Sequence, residues 1–284
     1  MTEVIKNPQA FFHKMERERG RGKSIGLVPT MGFLHKGHLS LVRQCKNEND
    51  LTVVSIFVNP TQFGPSEDLQ SYPRDFKGDL TLLESEGADL LFAPEAEDMY
   101  GKDFSVFVEE HSLSRNLCGA SRPGHFRGVC TVVLKLFNLA QPHRAYFGQK
   151  DYQQLKVIQR MVRDLNIPIE IRPCPIVREP DGLAKSSRNT YLSEEERREA
   201  LLLNSSLKTA QKALEDGEKR VSALRDLVLG LFEKSLLAKP EYVEICHAGT
   251  LEPLEKIEET ALLALAVRVG KTRLIDNCIL KVPQ

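Results

Sequence analysis

The stretch Val28-Pro29-Thr30-Met31-Gly32-Phe33-Leu34-His35-Lys36-Gly37-His38-Leu39 constrains the chain more than any other. Ahead of it, Ser24–Val28 reads as a short buried strand, and behind it Leu39–Cys45 has the apolar spacing of a helix. A strand-to-helix turn is therefore predicted. Glycines at 32 and 37 let backbone approach a ligand closely, and a helix N-terminus offers unpaired N–H groups and the positive end of a dipole, which suits phosphate. His35 and His38 stand three apart and share a face if the helix has begun. Two imidazoles aimed at an anion are a catalytic arrangement. The same pair could instead bind a metal or be two surface histidines, but no third His or Cys lies nearby at a familiar spacing to complete a metal site.

Further strands are predicted at Leu51–Asn59, Ala88–Ala93, Ala145–Phe147 and Ile169–Val177. Asn7-Pro8 opens a helix that runs to Gly20, and helical patterns lie at Leu39–Asn47, Phe76–Glu86, Val129–Leu139 and Tyr152–Leu165. The run from Leu51 to Val58 is almost continuously apolar, as a strand covered on both faces must be. Such alternation predicts an α/β fold, a Rossmann-like parallel sheet with helices on both faces. Val106-Phe107-Val108 is a further short strand candidate.

From Arg172 the character changes. Pro173, Pro175, Pro180 and Gly182 break regular structure, which puts a domain boundary here: residues 1–176 as the larger domain and 177–284 as a smaller C-terminal α+β domain. In the latter, Ser193-Glu194-Glu195-Glu196 reads as a capping box opening a helix to about Asp216. A helix from Val221 to Leu237 and strands from Tyr242 to Ala248 and Ala261 to Val269 follow.

Composition bounds the function. Lys plus Arg equals Asp plus Glu at 39 each, so no global field draws the 284-residue chain to nucleic acid or an anionic membrane, and any phosphate affinity is local. The N-terminus lacks a signal-peptide core, and the longest apolar run, Ala261 to Val267, is too short to span a bilayer; a cytoplasmic protein is expected. Six cysteines without a C-x-x-C pair read as reduced thiols.

Four other clusters could carry chemistry. Asn59-Pro60-Thr61-Gln62 ends a strand and places two amides where a small hydroxy acid would bind. Arg122-Pro123-Gly124-His125-Phe126-Arg127-Gly128 could hold an anion, order a loop or pair with acids across an interface. In Gly148-Gln149-Lys150-Asp151, Lys150 suits phosphate and Asp151 ribose hydroxyls, with Gln154 one turn beyond Lys150. Lys185-Ser186-Ser187-Arg188-Asn189 offers hydroxyls and cations that can clamp the phosphates of ATP, or is a solvated basic loop.

Taken in order, Pro29-Thr30-Met31-Gly32 with His35 and His38, Val58–Phe63, Tyr72-Pro73-Arg74, Ser121–Gly128, Phe147–Asp151, Asp181–Ala184, Ser186–Asn189 and Leu274-Ile275-Asp276-Asn277 resemble the pantothenate synthetase (pantoate–β-alanine ligase) family of the nucleotidyltransferase superfamily. The resemblance covers nearly the whole chain. It implies that pantoate attacks the α-phosphate of ATP to give pantoyl adenylate and pyrophosphate, and that β-alanine then takes the acyl group and releases AMP. By position it implies ATP contacts from Met31, Gly32, Phe33, Leu34, His35, Lys36, Gly37 and His38, with His38 as proton donor and His35 beside it. Gly148, Gln149, Lys150 and Asp151 match the ATP segment, Lys150 counting as catalytic, Val177 matches the backbone position that reads adenine, and Lys185, Ser186, Ser187 and Arg188 match a mobile phosphate loop. Gln62 and Gln154 match the pantoate-binding glutamines, with Gln62 also bordering the β-alanine site and Asn59 beside it. Mg²⁺ would arrive with ATP rather than on protein metal ligands. A homodimer through the N-terminal domain is implied too. One position departs from the pattern: the family often carries an apolar residue where Lys185 stands. The stretch from Gly64 to Tyr72 reads as a lid over pantoate. Another nucleotidyl transferase, or a nucleotide-binding regulator without chemistry, is the competing reading, and release of AMP together with pyrophosphate separates them.

Overall fold

Local chemistry sets where the elements begin. The Asn7 side chain accepts the Ala10 N–H and Pro8 takes the first helical position of α1 (Pro8–Gly20). The computed structural model describes residues 1–65 and 67–283. In chain order its elements are β1 (Glu3–Ile5), α1, β2 (Ile25–Thr30), α2 (Lys36–Glu48), β3 (Leu51–Ile56), α3 (Phe76–Glu86), β4 (Leu90–Phe92), α4 (Ala96–Met99), α5 (Cys118–Ser121), α6 (His125–Ala140), β5 (Arg144–Gly148), α7 (Tyr152–Asp164), β6 (Glu170–Cys174), α8 (Glu194–Glu215), α9 (Val221–Phe232), β7 (Ala238–Cys246), β8 (Thr260–Val269) and β9 (Thr272–Lys281). They form two compact units. The first comprises Met1–Ser112, Arg122–Gln149 and Gln154–Pro175; the second comprises Leu113–Ser121, Lys150–Gln153 and Ile176–Gln284.

The first unit is built on a six-stranded sheet of order β1-β4-β3-β2-β5-β6, parallel throughout. Alternate residues face opposite ways, and both faces are covered. On one face Val28, Val54, Leu91 and Tyr146 pack with Leu41, Val42 and Cys45 of α2 and Leu83 of α3. On the other, Phe92 stacks on Phe11 of α1 with ring centroids 4.1 Å apart, and Phe147 meets Phe137 of α6 edge-on. Each such side chain contributes roughly 1.5–3 kcal/mol of burial. Strand order turns back on itself at β2, with β3 on one side and β5 on the other, so the carboxyl ends of these strands flank the crevice where open α/β sheets bind ligands.

The second unit carries an antiparallel sheet, β7-β8-β9. Leu203, Leu207 and Leu214 of α8 and Leu224 and Val228 of α9 pack on Leu263, Leu265 and Val267 of β8. The capping box at Ser193 and Glu196 is present in both directions, at 3.1 and 2.9 Å. Among the described residues no helix is long and apolar enough to cross a membrane.

Several elements differ from the sequence reading for local reasons; β6, for example, ends at Cys174 and β7 begins at Ala238. The strand predicted over Leu51–Asn59 stops at Ile56, because Asn59 caps a 3-10 turn at Pro60–Gln62. Helix α9 ends at Phe232, and Ser235 takes the Ala238 N–H to start β7. Val106–Val108 is extended but has no strand partner among the described residues. Strands β1 and β9 escaped the reading, the first because three residues carry no period and the second because its turn, around Gly270, was not taken as a hairpin.

Candidate active site

Strand β2 ends on Thr30, whose hydroxyl donates to the Ser55 carbonyl at 2.8 Å and accepts from the Gly32 N–H at 3.1 Å. Gly32 and Phe33 follow with φ of 82° and 50°, a left-handed pair that turns successive N–H groups toward one point. A Cβ on Gly32 would sit 2.9 Å from Ile56 Cγ2 and 3.0 Å from Asp79 Oδ2, so only glycine fits. That point is occupied by protein. The Asp79 carboxylate, from α3 and 3% exposed, accepts from Phe33 N at 2.8 Å and Leu34 N at 2.6 Å. The amides of Phe33 and Leu34 are thus satisfied by a buried carboxylate of the protein itself. Burial pushes the Asp79 carboxyl up from its ordinary value, against the pull of the Leu34 and Phe33 N–H groups.

Beyond the nest the chain enters α2 through His35, its N-cap. His35 Nδ1 accepts the Gly37 N–H at 3.1 Å, and His38 Nδ1 accepts the His35 N–H at 3.3 Å, a capping box made from two imidazoles. The rings stack with centroids 4.0 Å apart. Because each Nδ1 accepts a backbone proton, each neutral ring carries its own proton on Nε2. The helix starts at Lys36, so His35 precedes it, and the pairing arises from capping rather than a shared helix face.

At the end of the neighbouring β3, the turn at Pro60–Gln62 packs against α6. A Cβ on Gly128 would lie 2.3 Å from the Thr61 carbonyl, so glycine permits the approach. Asn59 is 1% exposed; its Nδ2 donates to Gln62 Oε1 at 2.9 Å and to the Gly128 carbonyl at 3.1 Å, and its Oδ1 accepts from Tyr100 and Thr61 hydroxyls. Asn59 thus supports Gln62 from within the protein. With Gln62 Oε1 held by a donor, the outward function of Gln62 is its Nε2–H₂, which suits an acceptor such as a carboxylate or hydroxyl.

The arginine-rich bend orders this turn. Arg122 donates to both Glu67 oxygens at 2.7 Å, to the Gln62 carbonyl at 3.2 Å and to His125 Nε2 at 3.1 Å; His125 Nδ1–H in turn donates to the Gln62 carbonyl at 2.9 Å. Loop ordering is thus seen at this bend, with Arg122 pairing Glu67 of the same unit. Burial raises the Glu67 carboxyl, but Arg122, the Gly64 N–H and His125 outweigh it and hold the group below the usual range.

The second unit holds Lys150, Asp151, Val177 and the Lys185–Arg188 segment. Lys150 Nζ lies 3.8 Å from Asp151, and the Lys150 carbonyl accepts from Asn277 Nδ2 at 2.8 Å. The segment from Val177 to Lys185 doubles back on itself: Lys185 N donates to the Val177 carbonyl at 2.9 Å, Glu179 N to Leu183 O at 2.8 Å, and Gly182 makes the bend at φ 95°. Arg178 fixes it by a bidentate pair to buried Asp276, at 2.6 and 3.0 Å. Ser186 then caps a 3-10 turn over Ser187–Tyr191 that contains Arg188. Gln153 is taken structurally, bonded to Leu113, Asn116 and Cys118, whereas the half-buried Gln154 amide of the first unit has no hydrogen-bond partner among the described residues. Gly148 borders open space.

Asp79, Glu67 and Glu179 were missed by the sequence reading, since an acid on a helix or loop carries no local mark of the amide or cation it will meet. Thiol chemistry does not compete: burial pushes Cys45, Cys130, Cys246 and Cys278 up to about 12 and Cys174 to about 11. Among the described residues no three His, Cys, Asp or Glu side chains form a metal-binding group.

Asp79→Ala strands two amides and should destabilise the protein by roughly 2–4 kcal/mol in denaturant titration, with α2 losing its fixed entry; an unchanged midpoint would show that the nest stands without the carboxylate. For Glu67 the folded value lies below the free value of 4.5, so its stabilisation is complete above that pH and disappears as pH falls through the lower folded value. Wild type should therefore exceed Glu67→Gln in stability at pH 7, and the gap should close on acidification; a gap that persists to about pH 2 contradicts the pairing.

With this geometry in view, comparison with known proteins is specific. The family profile described as pantoate-beta-alanine ligase matches residues 3–279. Pantothenate synthetase of Pseudothermotoga lettingae is 59% identical over 277 residues, covering 98% of each chain, and that of Thermosipho melanesiensis 61% identical over 259 residues, covering 91% of this chain and 92% of the other. The crystal structure of pantothenate synthetase from Thermus thermophilus superposes with a TM-score of 0.94 at 44% identity, covering 99% of this chain and 100% of that one. The Francisella tularensis ligase, in a crystal structure described as complexed with beta-gamma ATP and beta-alanine, superposes at 0.82 and 35% identity over 98% of both chains. A chain with these strands, this histidine-capped helix and this degree of likeness end to end belongs to the pantoate–β-alanine ligase family, the pantothenate synthetases.

Proposed function

We propose that the protein joins pantoate to β-alanine at the expense of ATP, and that the stacked His35–His38 pair at the end of β2, next to the Gln62 turn at the end of β3, is where the chemistry occurs. In the first step a pantoate carboxylate oxygen bonds to the α-phosphorus and the bond to the bridging oxygen breaks, releasing pyrophosphate. In the second the β-alanine amine bonds to the acyl carbon, the carbon–oxygen bond to AMP breaks, and the nitrogen sheds a proton. A free carboxylate is a poor acyl donor, which is why the adenylate is needed.

His38 and His35 present Nε2 protons where charge accumulates on the α-phosphoryl oxygens, and His38 is the proton donor to the departing group. Gln62 Nε2 and the Gln154 amide hold pantoate, with Gln62 also bordering β-alanine. Met31, Gly32, Phe33, Leu34, Lys36 and Gly37 of the turn, Gly148, Gln149, Lys150 and Asp151, the Val177 backbone, and Lys185, Ser186, Ser187 and Arg188 are the residues this reading assigns to ATP. Lys150 supplies catalytic charge on phosphate. The functional division follows residues 1–176 for nucleotide and pantoate and 177–284 for the phosphate loop. Mg²⁺ would arrive on the nucleotide and neutralise phosphate charge. Residues 64–72 act as a lid, with Glu67 held by Arg122; Ser66 of that stretch lies outside the described residues. Unpaired cysteines, five of them buried, accord with a reducing cytoplasm.

Incubation with ATP, Mg²⁺, pantoate and β-alanine should yield AMP and pyrophosphate together, and His38→Ala should slow turnover about a hundredfold or more, roughly 3 kcal/mol, while ATP still binds. Near-normal turnover of that variant would remove His38 from the mechanism. Gln62→Ala should raise KM for pantoate; an effect confined to ATP would displace it from the pantoate site.

A homodimer through the N-terminal domain is part of the reading. Its support is the extended segment with Val106 at 75% and Phe107 at 42% exposed, which has no strand partner among the described residues and matches an isologous contact with a second copy. Phe107→Glu should convert a dimer to a monomer in sedimentation velocity; a variant that sediments as wild type places the contact elsewhere.

A further inference from the structure

Lys185 heads the Lys185–Asn189 segment, and the structure gives it a defined partner. Its Nζ lies 3.1 Å from Glu179 Oε2, with the side chains 26% and 16% exposed. The same carboxylate accepts from Asn189 Nδ2 at 3.0 Å through Oε1, and Arg197 approaches Oε2 at 3.4 Å. One acid thus ties the first and last residues of the Lys185-Ser186-Ser187-Arg188-Asn189 segment together. Burial raises Glu179, and Asn189, Lys185 and Arg197 more than offset it, so the group is held as the carboxylate.

The pair is built so that it can exchange. Asn189 is anchored a second time, to the Ala184 carbonyl at 3.1 Å, and the Lys185 backbone is fixed by its bond to Val177, so the loop keeps its form when the Lys185 ammonium moves. Arg197 is shared with Asp181 at 2.6 Å and stays beside Glu179, as does Asn189. Departure of Lys185 therefore does not leave a buried charge without partners, which is the usual reason that half-buried ion pairs resist breaking. Lysine is a compact charge on a flexible stem, suited to changing partners in a way that a forked guanidinium is not.

We propose that Lys185 is a specificity-determining cation for the triphosphate, paired with Glu179 when the loop is empty and transferred to the outer phosphates when ATP binds. This rests on the reading that residues 185–188 meet the ATP phosphates. A single carboxylate competes for the ammonium, so a ligand draws it off only by bringing several negative charges to the loop. ATP does so. AMP, which lacks the outer phosphates, does not, and once pyrophosphate has left, Lys185 returns to Glu179.

Binding of ATP and of AMP to the full-length protein, measured by calorimetry with Mg²⁺ present, tests this. Lys185→Met should weaken ATP about fivefold or more and leave AMP unchanged, and Lys185→Arg should restore most of the ATP affinity. Glu179→Gln keeps an acceptor for Asn189 but removes the competing charge; it should tighten ATP when Lys185 is present and have no further effect when combined with Lys185→Met. Arg188→Ala is the control for the loop itself. If Arg188→Ala loses ATP affinity while Lys185→Met does not, the exchange is wrong and the loop reading stands. If neither variant changes ATP affinity, both fail. Equal effects of Lys185→Met on ATP and AMP, or of Glu179→Gln in the two backgrounds, would also overturn the proposal.

Discussion

A carboxylate in a nest of amides holds the histidine turn. Asp79 reaches from α3 to the N–H groups of Phe33 and Leu34, and those two bonds fix the left-handed bend from which His35 emerges as a helix cap. Burial disfavours the charge, and the amides offset part of that cost. Because the bend is set by an internal anion, the imidazole pair is preorganised without substrate. Reorganisation that would otherwise be needed at the moment of reaction has been completed during folding.

The same solution recurs at the Gln62 turn and at the Lys185–Asn189 loop. Glu67 receives Arg122, which also grips the Gln62 carbonyl, and Glu179 receives Lys185 and Asn189 at the two ends of the loop. Asn59 is an uncharged version, a buried amide that dictates which end of Gln62 faces outward. In each place a group held within the protein decides the orientation of one that can meet a ligand. This is the second layer that functional constellations require if their geometry is to be held closely.

Much of the fold was legible because it rests on local signals. The Asn7-Pro8 start, the Ser193 capping box and the unbroken apolar run from Leu51 are short-range chemistry, and α3 runs from Phe76 to Glu86 as its pattern predicts. What misled was also local. Apolar content past Ile56 looked like strand, yet Asn59 and Pro60 form a turn; Val106–Val108 alternates with β character but pairs with no strand among the described residues. Of the site, His35, His38, Gln62 and the Lys185–Arg188 segment stood out by residue type and order. A helix entrance after glycine is an anion site in general, and here the Phe33 and Leu34 amides hold an anion of the protein itself. Nothing near them in the chain says that Asp79 supplies it.

By itself, then, the sequence determined which segments become strands and helices, that the larger sheet is parallel and covered on both faces, and which family's ordered motifs the chain carries. These follow from periodicity, caps and motif order, all of which act within one element or survive as a linear pattern. Only the tertiary structure decided which acid meets which amide or cation, that the two histidines share one proton arrangement through a cap, and that Asn59 supports where Gln62 presents. Those outcomes depend on contacts that periodicity and motif order do not encode, where burial and hydrogen-bond satisfaction select one partner among many that the sequence leaves equivalent.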